Sequence, residues 1–190
     1  MFIFFILSFI LGSIPSAYLI SKIFYGLDIR EHGSGNPGAT NVLRVVGKKP
    51  AIITFAIDVL KGLIPVLLAK KYYGGEGITV PMLCGFFAVS GHIWTPFLKF
   101  RGGKGVATGF GVFLGLATVP VIFALTVFCV FLLITKLVAI GSITAAVSLP
   151  VFLWMYKMPA GIIVMSLILA VIVVWRHKSN IKNILDKKSD

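Results

Sequence analysis

Residues 105–135 read GVATGFGVFLGLATVPVIFALTVFCVFLLIT, a run of 31 residues without one charged side chain. As a single α-helix the run would be roughly 46 Å long, at about 1.5 Å per residue, against a hydrocarbon core of about 30 Å. It also carries Pro120 near its middle. The run is therefore one tilted helix or two short ones. That choice decides on which side of a bilayer every later residue falls.

Five further windows, near 2–20, 51–69, 79–98, 137–156 and 158–175, are almost as free of charge. Each is about the 20 residues that a crossing helix needs. Of the 190 residues, 58% are hydrophobic and only 13% charged, and the mean hydropathy is +1.01. A soluble domain of this size needs more charge than that to cover its surface. In hydrocarbon the backbone must satisfy its own hydrogen bonds, so these runs read as helices. A closed barrel would show short alternating strands, which are missing. Met1 to Phe5 carry no positive charge, and no small-residue cleavage site accompanies Pro15, Tyr18 and Lys22, so the first window reads as a retained helix rather than a signal peptide. Cys84 and Cys129 both sit in apolar runs and read as buried packing thiols. With no repeat and no low-complexity linker, the expectation is an all-α integral membrane protein, a single polytopic domain over residues 1–190.

Charge chooses between the two readings of 105–135. With two helices there are about seven crossings, some of them short, and an external N-terminus leaves 14 of the 18 Lys and Arg on the cytoplasmic side. These are Lys22, Arg30, Arg44, Lys48, Lys49, Lys99, Arg101, Lys104, Lys136, Arg176, Lys178, Lys182, Lys187 and Lys188. Lys70, Lys71 and Lys157 fall outside and Lys61 within a span. With one helix the split is 9 against 8. The positive-inside rule favours seven helices, N-terminus out and C-terminus in, with the short pair near 106–119 and 120–135. Much of the net charge of +12 then orients the chain and meets anionic lipid. That does not explain the glycines around some of the cations.

Three segments combine glycine with polar or basic residues. The first is Gly33-Ser34-Gly35-Asn36-Pro37-Gly38-Ala39-Thr40-Asn41, followed by Arg44. Glycine lets backbone N–H groups converge on an anion, and Ser34, Thr40 and Asn41 add side-chain donors. Arg44 lies one turn beyond Thr40 and shares its site if a helix starts there. A flexible cytoplasmic loop fits the composition equally well. The second runs from Gly91-His92 to Arg101-Gly102-Gly103-Lys104-Gly105-Val106-Ala107-Thr108. Gly and Lys at the start of an apolar helix make a phosphate site. A basic interfacial turn anchored by Trp94 is the alternative for Lys99 and Arg101. It is not a nucleotide-binding P-loop: Gly105 follows Lys104 where Ser or Thr belongs, and Leu98 replaces the leading glycine. The third is Trp175-Arg176-His177-Lys178-Ser179-Asn180-Ile181. His177 and Asn180 share a face if the helix continues; taken alone, the segment reads first as a snorkelling basic cap. The seven-helix topology puts all three on one side.

Asp58 and Lys61 sit mid-span, three apart, so they can pair on one helix face. Such charges are functional by default, although a structural pair tying this helix to the first loop fits as well. Ser142, one turn into a helix that starts on the cytoplasmic side, is a phosphate-donor candidate; Thr144 beside it reads as bonded to its own helix. The three histidines show no metal-ligand spacing and no carboxylate cluster holds Mg²⁺. No His is followed five residues later by Asp, so the arrangement of thioester-using acyltransferases is absent. The clustered aspartates of metal-dependent phosphatidyltransferases are missing too. The site must work with donors and cations.

Taken in order, the three segments resemble the motifs of the bacterial acyl-phosphate:glycerol-3-phosphate acyltransferases, the PlsY type. Gly33 to Val42, Gly91 to Ala107 and His177 to Ile181 are the matching stretches, and the resemblance covers the whole chain. It implies transfer of a fatty acyl group from acyl phosphate to the 1-hydroxyl of sn-glycerol 3-phosphate. The products are lysophosphatidic acid and inorganic phosphate, and no cofactor or metal takes part. Ser34, Lys104, His177 and Asn180 are the expected catalytic residues. Arg44, Lys104, His177 and Asn180 are expected to hold glycerol 3-phosphate. Gly33, Gly35, Asn36, Gly38, Thr40, Asn41, Gly102, Gly103, Gly105 and Ser142 are expected to hold acyl phosphate. His177 or a substrate phosphate oxygen takes the hydroxyl proton. The partners expected are these substrates and membrane lipids, with no nucleic acid, and a monomer is compatible with the reading. The expected location is the bacterial inner membrane, with the site at the cytoplasmic face. An anion or phosphate-ester transporter is the rival, but such proteins place substrate groups near the midplane, where only Asp58 and Lys61 lie. For the topology, green fluorescent protein fused to the C-terminus is expected to fluoresce and alkaline phosphatase fused there to stay inactive; the reverse pattern refutes it.

Overall fold

The computed structural model describes residues 1–186, so Lys187 and Lys188 of the basic tail lie outside the described residues. The described residues form ten α-helices and no strand: α1 (Phe2–Ser13), α2 (Ser16–Tyr25), α3 (Ala39–Val45), α4 (Lys48–Tyr73), α5 (Thr79–Ile93), α6 (Val106–Leu116), α7 (Thr118–Thr135), α8 (Val138–Met155), α9 (Ala160–Arg176) and α10 (Lys178–Asp186). Among these residues, four helices are long and apolar enough to cross a membrane, and up to six spans result if the bent pairs α1–α2 and α9–α10 each count as one. The chain divides into two compact units, Met1–Leu116 and a second beginning at Ala117.

The run 105–135 is two helices, but the break lies at Ala117 and not at Pro120. Ala117 adopts φ −150° and ψ 68°, outside the helical region, and α7 begins behind it. Pro120 sits in the first turn of α7, where its missing N–H has no partner to lose. The window 2–20, read as one helix, is broken as well. Ile14 takes φ −56° and ψ 117°, the extended conformation that a following proline imposes. Helix α2 then leaves α1 at 42°.

Within the first unit, α1 packs on α5, and α4 packs on both α5 and α6. Glycines set these crossings. A Cβ on Gly12 would overlap the Ala88 carbonyl, and one on Gly91 would overlap the Phe9 carbonyl. Gly62 meets the Thr108 backbone and Gly111 the Val59 carbonyl in the same way. Lipid tails are as apolar as leucine, so close backbone approach, not hydrophobic exclusion, holds such helices together. Beside these contacts Ala69, Val80 and Cys84 form a buried cluster under Phe4, Phe5 and Tyr73. A second cluster, Ala17, Ile29, Val42 and Ala51, ties α2 and the following loop to α3 and α4.

In the second unit α7 packs on α8 and α8 on α9. The ring centroids of Phe123 and Phe152 are 5.6 Å apart, and Leu153 and Ile162 are fully buried. Cys84 is buried as expected, but Cys129 is exposed; it falls on the outward face of α7, where Val130 and Phe131 are exposed too. Gly12→Val should destabilise the first unit by about 1–3 kcal/mol through overpacking. Gly109→Ala, which meets nothing within 4 Å, should be neutral or stabilising by up to about 1 kcal/mol. Thermal unfolding in detergent checks the pair.

Candidate active site

The first motif leaves α2 at Gly26, which ends the helix at φ 69°. Asp28 then holds the turn Ile29–Glu31. Its Oδ1 accepts from the Arg30 backbone N–H at 3.0 Å and from Arg30 Nε at 2.9 Å, and its Oδ2 accepts from Arg30 Nη2 at 2.6 Å. The hydrogen-bonded guanidinium holds the Asp28 carboxyl well below its ordinary range, at about 2. Arg30 also stacks on Tyr18, 4.8 Å from the ring centroid.

The loop closes on Asn41. Its Nδ2 donates to Ile29 O at 3.0 Å and to His32 O at 2.9 Å, and its Oδ1 accepts from the Ser34 N–H at 2.9 Å. Both amide hydrogens are in use and the side chain is buried. Asn41, expected as an acyl-phosphate ligand, is the internal brace of the loop instead. Gly33 has φ 61° and Gly35 φ 69°, a region that favours glycine. A Cβ on Gly33 would also strike Asn41 Oδ1. The N–H of Gly35 bonds His32 O at 3.0 Å and that of Gly38 bonds Asn36 O at 2.9 Å. These three glycines thus shape the loop, and the Ser34, Gly35 and Gly38 amides are turned into it. Helix α3 does start at Ala39, so Thr40 and Arg44 lie one turn apart on it, and both are exposed, as is Ser34.

In the second motif the glycines again serve close approach. A Cβ on Gly102 would overlap the His92 carbonyl, and one on Gly103 would overlap His92 Nε2. The Gly102 N–H donates to Ile93 O at 3.0 Å and the Gly103 N–H to His92 O at 3.2 Å. The segment therefore folds back on the end of α5. These two amides, expected to cradle phosphate, bond α5 instead. Gly105, at φ 83°, packs against Ile93 and Val89 just before α6. Lys104, half-buried, stands between these anchored glycines.

The sequence reading did not place His92 in the site or give Asp58 a partner beyond Lys61. The pair is present: Lys61 Nζ lies 2.7 Å from Asp58 Oδ1, with both side chains buried. Ser16 Oγ donates to the same oxygen at 2.6 Å, and His92 Nδ1 lies 3.6 Å from it. Lys61 Nζ also donates to Ile14 O at 2.8 Å, at the break between α1 and α2. A small cavity adjoins this cluster, lined by Ser13 to Ser16, Pro37, Lys61, His92, Thr95, Leu98, Gly102 and Gly103. Pro37 belongs to the first motif and the two glycines to the second, so the fold brings both motifs to one place. The sequence signal for His92 was its place in the second motif beside a mid-span acid. Only tertiary structure pairs the two.

In the second unit, Ser142 Oγ donates to Val138 O at 2.8 Å on its own helix, so this hydrogen is not directed at a phosphate. His177 is buried and its Nδ1 lies 2.8 Å from Val173 O. A carbonyl only accepts, so Nδ1 is the donor in this bond. The helix does not continue through His177: α10 leaves α9 at 49°, and Asn180 lies on α10. For the first motif, Asn41→Ala leaves Ser34 N–H, Ile29 O and His32 O without their partner and should cost about 1–3 kcal/mol. Thermal unfolding checks the loss, and added glycerol 3-phosphate should recover part of it if the loop binds that substrate.

The model of the family described as glycerol-3-phosphate acyltransferase matches residues 2–187. The glycerol-3-phosphate acyltransferase of Thermosynechococcus vestitus is 43% identical over 188 residues, covering 95% of this chain and 89% of that protein. That of Prochlorococcus marinus (strain MIT 9301) is 45% identical over 180 residues, covering 94% and 90%. The crystal structure of PlsY (YgiH), an integral membrane glycerol 3-phosphate acyltransferase, in its glycerol 3-phosphate form superposes with a TM-score of 0.93 at 36% identity, covering 98% of this chain and 92% of that one. Its lysophosphatidic acid form gives 0.90. With the family model, the relatives and the helical fold in agreement, the chain is a multi-pass membrane protein and belongs to the glycerol-3-phosphate acyltransferase family.

Proposed function

We propose that this chain transfers a fatty acyl group from acyl phosphate to the 1-hydroxyl of sn-glycerol 3-phosphate, giving 1-acyl-sn-glycerol 3-phosphate and inorganic phosphate, the first acylation of phospholipid biosynthesis. One observation carries the reading beyond family membership: Pro37 of the first motif and Gly102–Gly103 of the second line one cavity, beside a half-buried cation, Lys104. Both substrates are phosphate anions, and one brings an acyl tail that hydrocarbon accommodates.

In this reading Arg44 and Lys104 bind phosphate oxygens as charge-assisted donors. The exposed hydroxyls of Ser34 and Thr40 complete the donor set. Gly33, Gly35, Gly38 and Asn41 act one step back, by holding the loop in its shape. His177 and Asn180 are assigned to glycerol 3-phosphate on the strength of the third motif. The 1-hydroxyl oxygen attacks the acyl carbon, the bond from that carbon to the phosphate oxygen breaks, and phosphate leaves with the electron pair. The hydroxyl proton ends on the departing phosphate, directly or by way of His177 Nε2. An acyl phosphate is a mixed anhydride with a good leaving group. The site therefore needs cations to steady charge more than it needs an acid. The charge pattern supports a site at the cytoplasmic face of the inner membrane.

Purified protein given a long-chain acyl phosphate and labelled glycerol 3-phosphate should release phosphate and labelled lysophosphatidic acid in equal amounts. Turnover with acyl-CoA but not with acyl phosphate would refute the donor. Accumulation of unmodified glycerol 3-phosphate inside proteoliposomes would make the protein a transporter. Lys104→Ala should lower kcat by about 10²-fold or more, as the loss of one preorganised charge-stabilising donor does, with the protein still folded. His177→Gln should weaken glycerol 3-phosphate binding; a pH profile of kcat left intact would assign the proton to phosphate.

A further inference from the structure

Two features border the cavity and each needs something to hold it in place. One is the break between α1 and α2, where Pro15 has no N–H and the Ile14 carbonyl leaves the helical ladder and accepts from the Ser16 N–H at 3.0 Å. The other is the Gly102–Gly103 segment, which lies flat on His92 and leads into Lys104. A single carboxylate stands behind both. Asp58 Oδ1 takes the hydroxyl hydrogen of Ser16, the first residue of α2, at 2.6 Å. It takes Lys61 Nζ at 2.7 Å, and that same ammonium caps Ile14 O at 2.8 Å. On its other side stands His92 Nδ1 at 3.6 Å, while the Nε2 edge of the ring abuts Gly103. All four side chains are buried.

We propose that Asp58, Lys61, Ser16 and His92 form a positioning cluster that registers the α1–α2 break against the Gly102–Lys104 segment and so places Lys104 for acyl transfer. This rests on the acyl-transfer reading above. The cluster's four groups are positioning residues, and their effect passes through the Lys104 backbone. Packing alone does not require charge here. A buried ion pair is commonly replaceable by apolar residues of similar size at little cost in stability. Two ionised groups retained inside a membrane helix therefore mark a geometric task. The geometry identifies the task, since each group of the cluster bonds or abuts one of the two cavity walls.

The test is a double variant, Asp58→Asn with Lys61→Met. It removes both charges together, leaves an acceptor for Ser16 and avoids an unpaired buried ion. The wild type is assayed first with acyl phosphate and glycerol 3-phosphate; no turnover there would refute the acyl-transfer reading and not this one. With an active wild type, the folded double variant should lose about tenfold or more in kcat, as misplacement of a catalytic group by a fraction of an ångström does. KM for each substrate should move by less than about threefold, since the loss falls on the transition state. A kcat within twofold of wild type in the folded double variant overturns the proposal. Should that variant not fold, Ser16→Ala and His92→Ala decide. Each should lower kcat, with recovery by Ser16→Thr and, in part, by His92→Asn, whose amide nitrogen reaches the Nδ1 position. Full activity of both alanine variants, or no recovery by the conservative ones, overturns it equally. In the Lys104→Ala background, His92→Ala should cost no further rate, because the two act on one path; an additive loss overturns the route through Lys104.

Discussion

A lysine ammonium in the middle of a membrane helix is held by one carboxylate and in turn holds one backbone carbonyl. The Lys61 bond to Ile14 O is the constraint on which the first unit turns. A carbonyl freed inside hydrocarbon without a donor costs several kcal/mol. At the α1–α2 break the Ile14 carbonyl accepts from the Ser16 N–H at 3.0 Å and from Lys61 Nζ at 2.8 Å. Lys61 thus adds a second donor from a distant helix, Asp58 offsets its charge, and Ser16 fastens α2 to the same carboxylate. These bonds tie the break to α4, and α2 leaves α1 at 42°. That bend starts the path of the chain through Gly26 to the first motif.

The glycines divide into two kinds by what lies against them. Gly12, Gly62, Gly91 and Gly111 are helix-crossing residues, each set against a backbone carbonyl of the neighbouring helix. Gly33, Gly35, Gly102 and Gly103 belong to the motif loops, where Gly33 meets Asn41, Gly35 the Arg30 carbonyl, and Gly102 and Gly103 His92. A cradle made mainly of glycine amides fits neither kind, because the amides of Gly35, Gly38, Gly102 and Gly103 already bond chain carbonyls.

What could be read before the structure was what depends on local sequence. Hydropathy windows located the long helices, charge counts divided 105–135 in two, and an i, i+3 spacing paired Asp58 with Lys61. Pro120 suggests a break three residues beyond the actual one at Ala117, although the first helical turn tolerates proline. The Pro15 break is hidden in the hydropathy pattern because the window around it is apolar on both sides, and the Lys61 bond that ties it to α4 comes from a distant helix. Asn41 was read by its type as a donor. Its actual partners, Ile29 O, His32 O and the Ser34 N–H, lie on a loop whose path no local rule describes. His92 faces Asp58 from another helix, a pairing invisible to any spacing.

These placements bear on why the chain carries so few acids. Asp58 is the acid buried within the first unit's helices, and its Oδ1 already receives Ser16 and Lys61. Its place is that of a counterion to Lys61 and an anchor for Ser16. Asp28 is likewise tied to Arg30 and held at about 2. Carboxylates in this unit thus organise cations and loops. Chemistry that needed a carboxylate base would find these two already committed. Acyl transfer from a mixed anhydride does not need one, because the leaving phosphate can itself accept the proton as the new ester forms. A first unit whose Asp28 and Asp58 are tied to cations, and whose first motif exposes Ser34, Thr40 and Arg44, suits a reaction in which both substrates arrive as phosphates.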